Sequence, residues 1–290
     1  MALHFFIKNS YTYVEFFDKN AKKYSGVSVF FSRRKYGVRT QKCVVYLTRS
    51  ALSCNNNYME RFSRTIALIG EDNFKKLQNA SVIIFGVGGV GGYVAEGLAR
   101  CGVGNVTVVD KDVVSESNIN RQIIALSSTV GKKKTELIKE RILDINPNCK
   151  VTVFDMFYLP ENADDIDLTA YSFVIDAIDT VSAKLEIVQR CANNDIPVIS
   201  CMGTANHTDL SAFKIVDVYD TNTCPLARVM RRECSKRGIP KGKVKVLFST
   251  EQPHKVFASD EGKLAPCSTI FCPATAGLLI ADAVIKTLIR

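Results

Sequence analysis

Ser81-Val-Ile-Ile-Phe-Gly-Val-Gly-Gly-Val-Gly-Gly-Tyr-Val-Ala-Glu-Gly-Leu-Ala-Arg-Cys-Gly-Val-Gly-Asn-Val-Thr-Val-Val-Asp110 is the stretch that decides the fold. Val82 to Phe85 is a short apolar run rich in β-branched residues, the pattern of a parallel strand buried on both faces. Gly86, Gly88, Gly89, Gly91 and Gly92 follow, and then Val94, Ala95, Leu98 and Ala99 recur at helical spacing. Val106 to Val109 reads as a second strand ending on Asp110. A strand, a glycine turn, a helix and a strand tipped with an acid describe a nucleotide site. The glycines let phosphates approach the backbone at a helix N-terminus, and the acid is placed for a ribose hydroxyl. Glycines needed only for close helix–strand packing are the competing reading. The pattern alone leaves ATP and NAD both open.

Outward from this unit the β-α alternation continues. A helix is expected over Met59 to Leu77, interrupted at Gly70, with Arg61 and Arg64 on one face of its first turn. Lys111 to Leu126 is polar and holds Asn118, Asn120, Arg121 and Gln122 just past a strand end, where open α/β sheets bind ligands. Further helices are expected over Gly131 to Asp144, Ala183 to Asn193 and Ala274 to Ile289. Further strands are expected over Lys150 to Phe154, Phe173 to Ile178 and Pro197 to Ser200. The implied class is α/β, a Rossmann-like ATP-binding fold with a mainly parallel sheet and a C-terminal substrate-binding portion.

Residues 221–265 break that rhythm. Between 228 and 245, Arg228, Arg231, Arg232, Lys236, Arg237, Lys241, Lys243 and Lys245 stand against one acid, Glu233. Such a stretch suits contact with a phosphate backbone, or is a solvated helix face. Val244 to Ser249 reads as a strand and Ala258 to Pro266 as a polar loop.

Residues 1–58 differ from the rest. They carry ten Lys/Arg and two acids, and so supply +8 of the net charge of +9. A targeting peptide, an RNA-binding arm and an upstream extension outside the native protein all fit; the last reading is adopted, with 59–290 as the functional domain. The ten cysteines show no Cys-x-x-Cys spacing, so free thiols in a reducing, cytoplasmic setting are expected, without structural zinc. No run reaches 18 uninterrupted apolar residues, and no membrane partner is expected.

Asp179 is the leading candidate for chemistry. At a strand end facing the glycine turn, its carboxylate could share Mg2+ with phosphate oxygens, or cap the following helix. Asp176 sits earlier in the strand and reads as structural. Arg121 offers a fixed fork and Lys134 a mobile charge for polyphosphate, with Asn118 beside them. Cysteine nucleophiles are possible but unsupported, because no histidine is placed beside one. His207 reads as a surface-loop residue or a pocket wall.

Arg61-Phe62-Ser63-Arg64, the Gly86–Gly91 loop, Asp110, Asn118-Ile119-Asn120-Arg121-Gln122, Lys134, Asn146-Pro147 and Asp176-Ala177-Ile178-Asp179 occur in one order along the chain, and that order carries a resemblance. The chain over 59–290 resembles the ubiquitin-activating-enzyme-like superfamily, which adenylates carboxylates with ATP and Mg2+. Cys224-Pro225-Leu226-Ala227-Arg228, Phe248-Ser249-Thr250-Glu251 and the missing zinc pairs are similar to its branch that dehydrates threonylcarbamoyladenosine in tRNA. The resemblance implies that Gly86, Gly88, Gly89, Gly91, Asp110 and Asn118 bind ATP, with Asp110 on the ribose. It implies Arg121 and Lys134 on the phosphates and Asp179 on the metal. Arg64 would enter a partner subunit's site, which implies a homodimer. Arg228, Arg231, Arg232, Lys236 and Arg237 would meet tRNA, and a cysteine desulfurase or sulfur-acceptor protein is a further conceivable partner. Cys224 departs from the acid usual before Pro-Leu-Ala. Activation of a ubiquitin-like sulfur carrier, NAD-dependent oxidoreduction and a non-catalytic nucleotide-binding scaffold are the rival functions.

Overall fold

The computed structural model describes residues 2–8, 11–17, 27–28, 49–260 and 263–290. The chain divides into two compact units, residues 1–52 and 53–290. In the first, β1 (Ala2–Lys8) pairs antiparallel with β2 (Tyr11–Phe17), which also pairs with the short β3 (Val27–Ser28). The expectation for residues 1–58 falls largely outside the described residues.

Helix α1 (Arg49–Ile69) starts earlier than the sequence suggests and is followed by α2 (Glu71–Asn79). Gly70, at φ +87°, makes the break between them. The glycine-rich unit forms as read: β4 (Ser81–Phe85), α3 (Gly91–Arg100), β5 (Asn105–Val109). Then come α4 (Lys134–Ile145), β6 (Lys150–Phe154), β7 (Phe173–Asp176), α5 (Val181–Asn193), β8 (Val198–Cys201) and β9 (Phe213–Asp217). The chain ends with α6 (Pro225–Lys236), β10 (Lys245–Ser249), a hairpin of β11 (Phe257–Asp260) and β12 (Lys263–Pro266), and α7 (Phe271–Leu288).

Seven strands form one sheet in the order β6-β5-β4-β7-β8-β10-β9, parallel except for β9 against β10. Period-2 alternation divides the core. Val82 and Ile84 of β4 join Leu98 of α3, Ile142 of α4 and Ile280 of α7 on one face. Ile83 and Phe85 join Ile187 of α5 and Met230 of α6 on the other. From β4 the chain winds outward through β5 and β6, then returns to β7 on the opposite side. The sheet's switch point therefore lies between the C-terminal ends of β4 and β7, the place where such sheets bind ligands.

The strand expected over Val244 to Ser249 is β10, whose Val246, Leu247 and Phe248 are buried where it slots between β8 and β9. Two expectations are corrected. The expected polar loop over Ala258 to Pro266 is a two-stranded hairpin. Strand β7 stops at Asp176 rather than Ile178, because the Asp176 carboxylate accepts the Ile178 N–H and bends the chain out of the ladder. Helix α7, with a mean hydropathy of 1.5 over 18 residues, is long and apolar enough to cross a membrane by length and composition. In the fold, Ala276, Gly277, Ile280, Ala281 and Val284 are buried, and the helix packs against α3.

Candidate nucleotide-binding site

A cleft of about 340 Å³ opens at the switch point. Gly86 turns the chain out of β4 at φ +84°, and its N–H donates to the Val109 carbonyl at 2.8 Å. A Cβ there would stand 2.8 Å from the Ala177 carbonyl oxygen, so the turn that follows β7 lies directly on the glycine. Gly88 and Gly89 line the cleft; Gly91 does not. A Cβ on Gly91 would fall 1.8 Å from the Gly86 carbonyl oxygen, so its role is close packing of α3 against the turn.

Asp110 lines the cleft with a braced carboxylate. Its Oδ2 accepts the Val87 N–H and its Oδ1 the Asp112 N–H, both at 2.8 Å. The Lys134 side chain is almost fully buried, with Nζ 2.9 Å from Asp112 Oδ2. Lysines 132 and 133 precede the helix, and Lys134 is its first residue. Arg121 donates to the Ser117 carbonyl (2.8 Å) and to Asn120 Oδ1 (2.9 Å), which aims the guanidinium from the polar loop into the cleft. Asn118 is buried at the cleft wall and accepts the Ser115 N–H, so it also shapes that loop.

Asp179 is exposed at the cleft, and its carboxylate meets only the Thr180 hydroxyl, at 3.4 Å, among the described residues. The helix-cap reading fails: Thr180 occupies the N-cap of α5, and no side chain caps it. Among the described residues no three or more His, Cys, Asp or Glu converge on one point. Mg2+ needs no such cage when phosphates supply most of its oxygens, and one hard carboxylate at a cleft lined by a glycine turn and two cations fits it. Asp176 is fully buried and structural, as its place in the strand suggests.

Gln122, in the polar stretch expected to face a ligand, is buried at the cleft with Oε1 unpartnered among the described residues, an acceptor open to a ligand. Other wall residues escape sequence reasoning. Met156, Phe157 and Tyr158 close the side beyond β6, and the Lys111 ammonium sits 3.1 Å over the Phe157 ring centre. These residues lie outside any local motif; only the strand order β6-β5-β4 brings them to Asp110.

The remaining candidates lie elsewhere. Arg64 is exposed on α1 and does not line the cleft of its own chain. Its neighbour Arg61 donates to the Asp144 and Ile145 carbonyls, at 2.9 and 2.7 Å, capping the C-terminus of α4. Arg228, Arg232, Lys236 and Arg237 are exposed on or just past α6, whereas Arg231 turns back to the Thr221 carbonyl and hydroxyl. Arg232 and Lys236 share Glu233, and Lys241 and Lys243 pair with Asp220 and Asp195. Arg228 and Arg237 have no acidic partner among the described residues. His207 is buried rather than on a surface loop, 3.4 Å from Glu251, and burial lowers its pKa against the pull of that acid. Burial pushes the Cys191 and Cys201 thiols up to about 12, and Cys149 and Cys234 to about 11, so none of these four is a thiolate near neutrality.

The chain is 43% identical over 244 residues to the tRNA threonylcarbamoyladenosine dehydratase of Bacillus subtilis, a match covering 80% of this chain and 96% of that protein. It is 40% identical over 200 residues to the Escherichia coli protein of the same name, covering 67% of this chain and 75% of that one. The crystal structure of Escherichia coli tRNA N6-threonylcarbamoyladenosine dehydratase, TcdA, in complex with ATP aligns with a TM-score of 0.74 at 35% identity. That alignment covers 80% of this chain and 95% of that one. Residues 62–290 match the ThiF family, and the chain belongs to it.

Proposed function

We propose that this protein is an ATP-dependent tRNA threonylcarbamoyladenosine dehydratase. The observation that carries the reading is one cleft, at the sheet's switch point, lined by the glycine turn, Asp110, Arg121, Lys134 and Asp179. It suits a nucleoside triphosphate better than a dinucleotide, because two cations and a metal-competent carboxylate face the glycine turn. The relatives named for this dehydration share most of the chain's length, which weighs against sulfur-carrier activation and NAD chemistry.

In the reaction, the threonyl carboxylate of the modified adenosine attacks the α-phosphorus of ATP and releases pyrophosphate. A nucleophilic atom of the same modification then attacks the activated acyl carbon, AMP leaves, and the ring closes with net loss of water. A carboxylate is a poor electrophile, and adenylation gives it a good leaving group. Asp110 would hold the ribose through whatever capacity its two backbone contacts leave. The glycine turn, Arg121 and Lys134 would hold and neutralise the phosphates, the charge that grows as pyrophosphate departs. Asp179 would hold Mg2+, which supplies charge neutralisation to the triphosphate. Arg64, exposed away from its own cleft, would complete the site of a second copy in a homodimer. Arg228 and Arg237 would meet the tRNA backbone. The cysteines, free among the described residues, suit a reducing cytoplasm.

The test incubates the full chain with ATP, Mg2+ and threonylcarbamoyl-modified tRNA, then weighs the digested nucleosides. ATP-dependent loss of one water from the modified adenosine supports the reading. An unchanged nucleoside, with ATP still bound and pyrophosphate exchange stimulated by a ubiquitin-like carrier, would transfer it to carrier activation.

A further inference from the structure

Behind Asp179 lies a charge pair that the cleft does not touch. Lys184, the fourth residue of α5, and Asp176, the last of β7, both have side chains without solvent exposure. Lys184 Nζ stands 3.1 and 3.0 Å from the two Asp176 oxygens, 2.7 Å from the Cys201 carbonyl oxygen and 3.4 Å from Ser200 Oγ. The Ser200 hydroxyl donates to Asp176 Oδ2. Asp176 Oδ1 also accepts the Ile178 N–H at 3.3 Å. One knot thus ties the ends of β7 and β8 to the first turn of α5.

The segment enclosed by the knot, Ala177 to Thr180, is a wall of the cleft. On its other side the Ala177 carbonyl rests against Gly86. The turn is therefore clamped between the glycine loop and the buried pair, and Asp179 is the residue it presents. Stability is a weak reason for such a pair. Well-packed apolar residues of similar volume commonly do as well, and the cost of removing one partner is the unpaired charge left behind. What the pair supplies is a fixed geometry.

We propose that Lys184, Asp176 and Ser200 form a positioning device that sets the Ala177–Asp179 turn and so the place from which Asp179 meets Mg2+ and the nucleotide phosphates. The inference rests on the metal role proposed above for Asp179. Groups behind a metal ligand commonly change metal affinity by about 10–100-fold when removed.

The experiment titrates Mg2+ against binding of a non-hydrolysable ATP analogue by calorimetry, with the full chain and no turnover. Lys184→Met removes the ammonium. Ser200→Ala, a smaller change, serves if Lys184→Met does not fold. For either variant the Mg2+ concentration giving half of the metal-dependent gain in affinity should rise, about tenfold for Lys184→Met and less for Ser200→Ala. Affinity for the analogue in chelator should stay at the parent value, a split that a general loss of stability does not produce. Asp179→Asn is the reference. If it shifts the Mg2+ dependence while neither knot variant does, the positioning role is overturned and the metal role stands. If Asp179→Asn shifts nothing, the metal role falls and this inference falls with it.

Discussion

Gly86 and Ala177 meet so closely that a Cβ on the glycine would lie 2.8 Å from the alanine's carbonyl oxygen. The glycine turn after β4 and the Asp179 turn after β7 are thus built against each other, and neither can be displaced alone. Gly86→Ala brings two faults, a side chain at φ +84° and this contact with backbone. The conformational strain alone costs about 1–3 kcal/mol. We expect the variant to melt several degrees lower and to lose nucleotide affinity at least about tenfold, read by thermal melting and by calorimetry with ATP. Parent-like binding would mean that the two turns are not coupled.

Asp179 is the opposite case, since it is exposed and nothing in the fold depends on it. Asp179→Ala should keep the parent melting temperature to within about 2 °C, as surface changes usually do. Dehydration of modified tRNA should fall by about 100-fold or more, the scale of losing a charge-stabilising group at a reacting centre. Retained turnover would remove Asp179 from the site.

The local parts of this fold were legible and the long-range parts were not. The β4–α3–β5 unit could be read because its strand, turn and helix signals lie within thirty residues. The glycine turn and Asp110 are legible for the same reason, Arg121 and Lys134 through their order along the chain after it, and all of them line one cleft. Lys245 to Ser249 also carried a strand signal, but nothing local says that it inserts between β8 and β9. Lys184 looks like an ordinary polar residue of an amphipathic helix; its burial follows from Asp176 and Ser200 arriving from two strands. His207, past a strand end, reads as a surface-loop residue or a pocket wall, yet Glu251, from after β10, and Phe213 pack around it. Gly91 shows the limit of a motif: the pattern names it, and the geometry gives it to helix packing.

The His207–Glu251 contact gives the protein an acid-sensitive joint. Burial alone would raise the Glu251 pKa, but the N–H groups of Asp209 and Thr208, the Thr208 hydroxyl and His207 outweigh it and bring it to about 2. A carboxylate held below its unfolded value of about 4.3 contributes stability above that pH and loses it as pH falls toward 2. His207, lowered by burial, contributes above about pH 6.5 and loses its contribution as the solution becomes more acidic. Both signs agree, so acidification weakens the joint in two steps. We expect Glu251→Gln to melt about 2–6 °C lower at pH 7 and to show a shallower decline than the parent between pH 5 and 3. His207→Gln should flatten the decline between pH 7 and 5.5. Parallel melting curves for parent and variants across this range would refute the assignment.

Charge on α6 offers the sharpest test of where tRNA lies. Of the basic residues the sequence groups there, Arg231 is held by Thr221, while Arg232 and Lys236 share Glu233. A paired cation must give up its partner before it neutralises a phosphate; Arg228 and Arg237 need not. Each phosphate neutralised by a protein cation contributes about one unit to the slope of log affinity against log salt. Arg228→Ala combined with Arg237→Ala should therefore weaken tRNA binding uniformly across tRNA sequences and reduce that slope by about 2, with ATP affinity unchanged. Arg231→Ala should lower the melting temperature instead, because it leaves the Thr221 carbonyl and hydroxyl without their donor. If the double variant keeps the parent's salt slope, the nucleic acid lies on another face, and the basic composition of this stretch is only the solvated side of a helix.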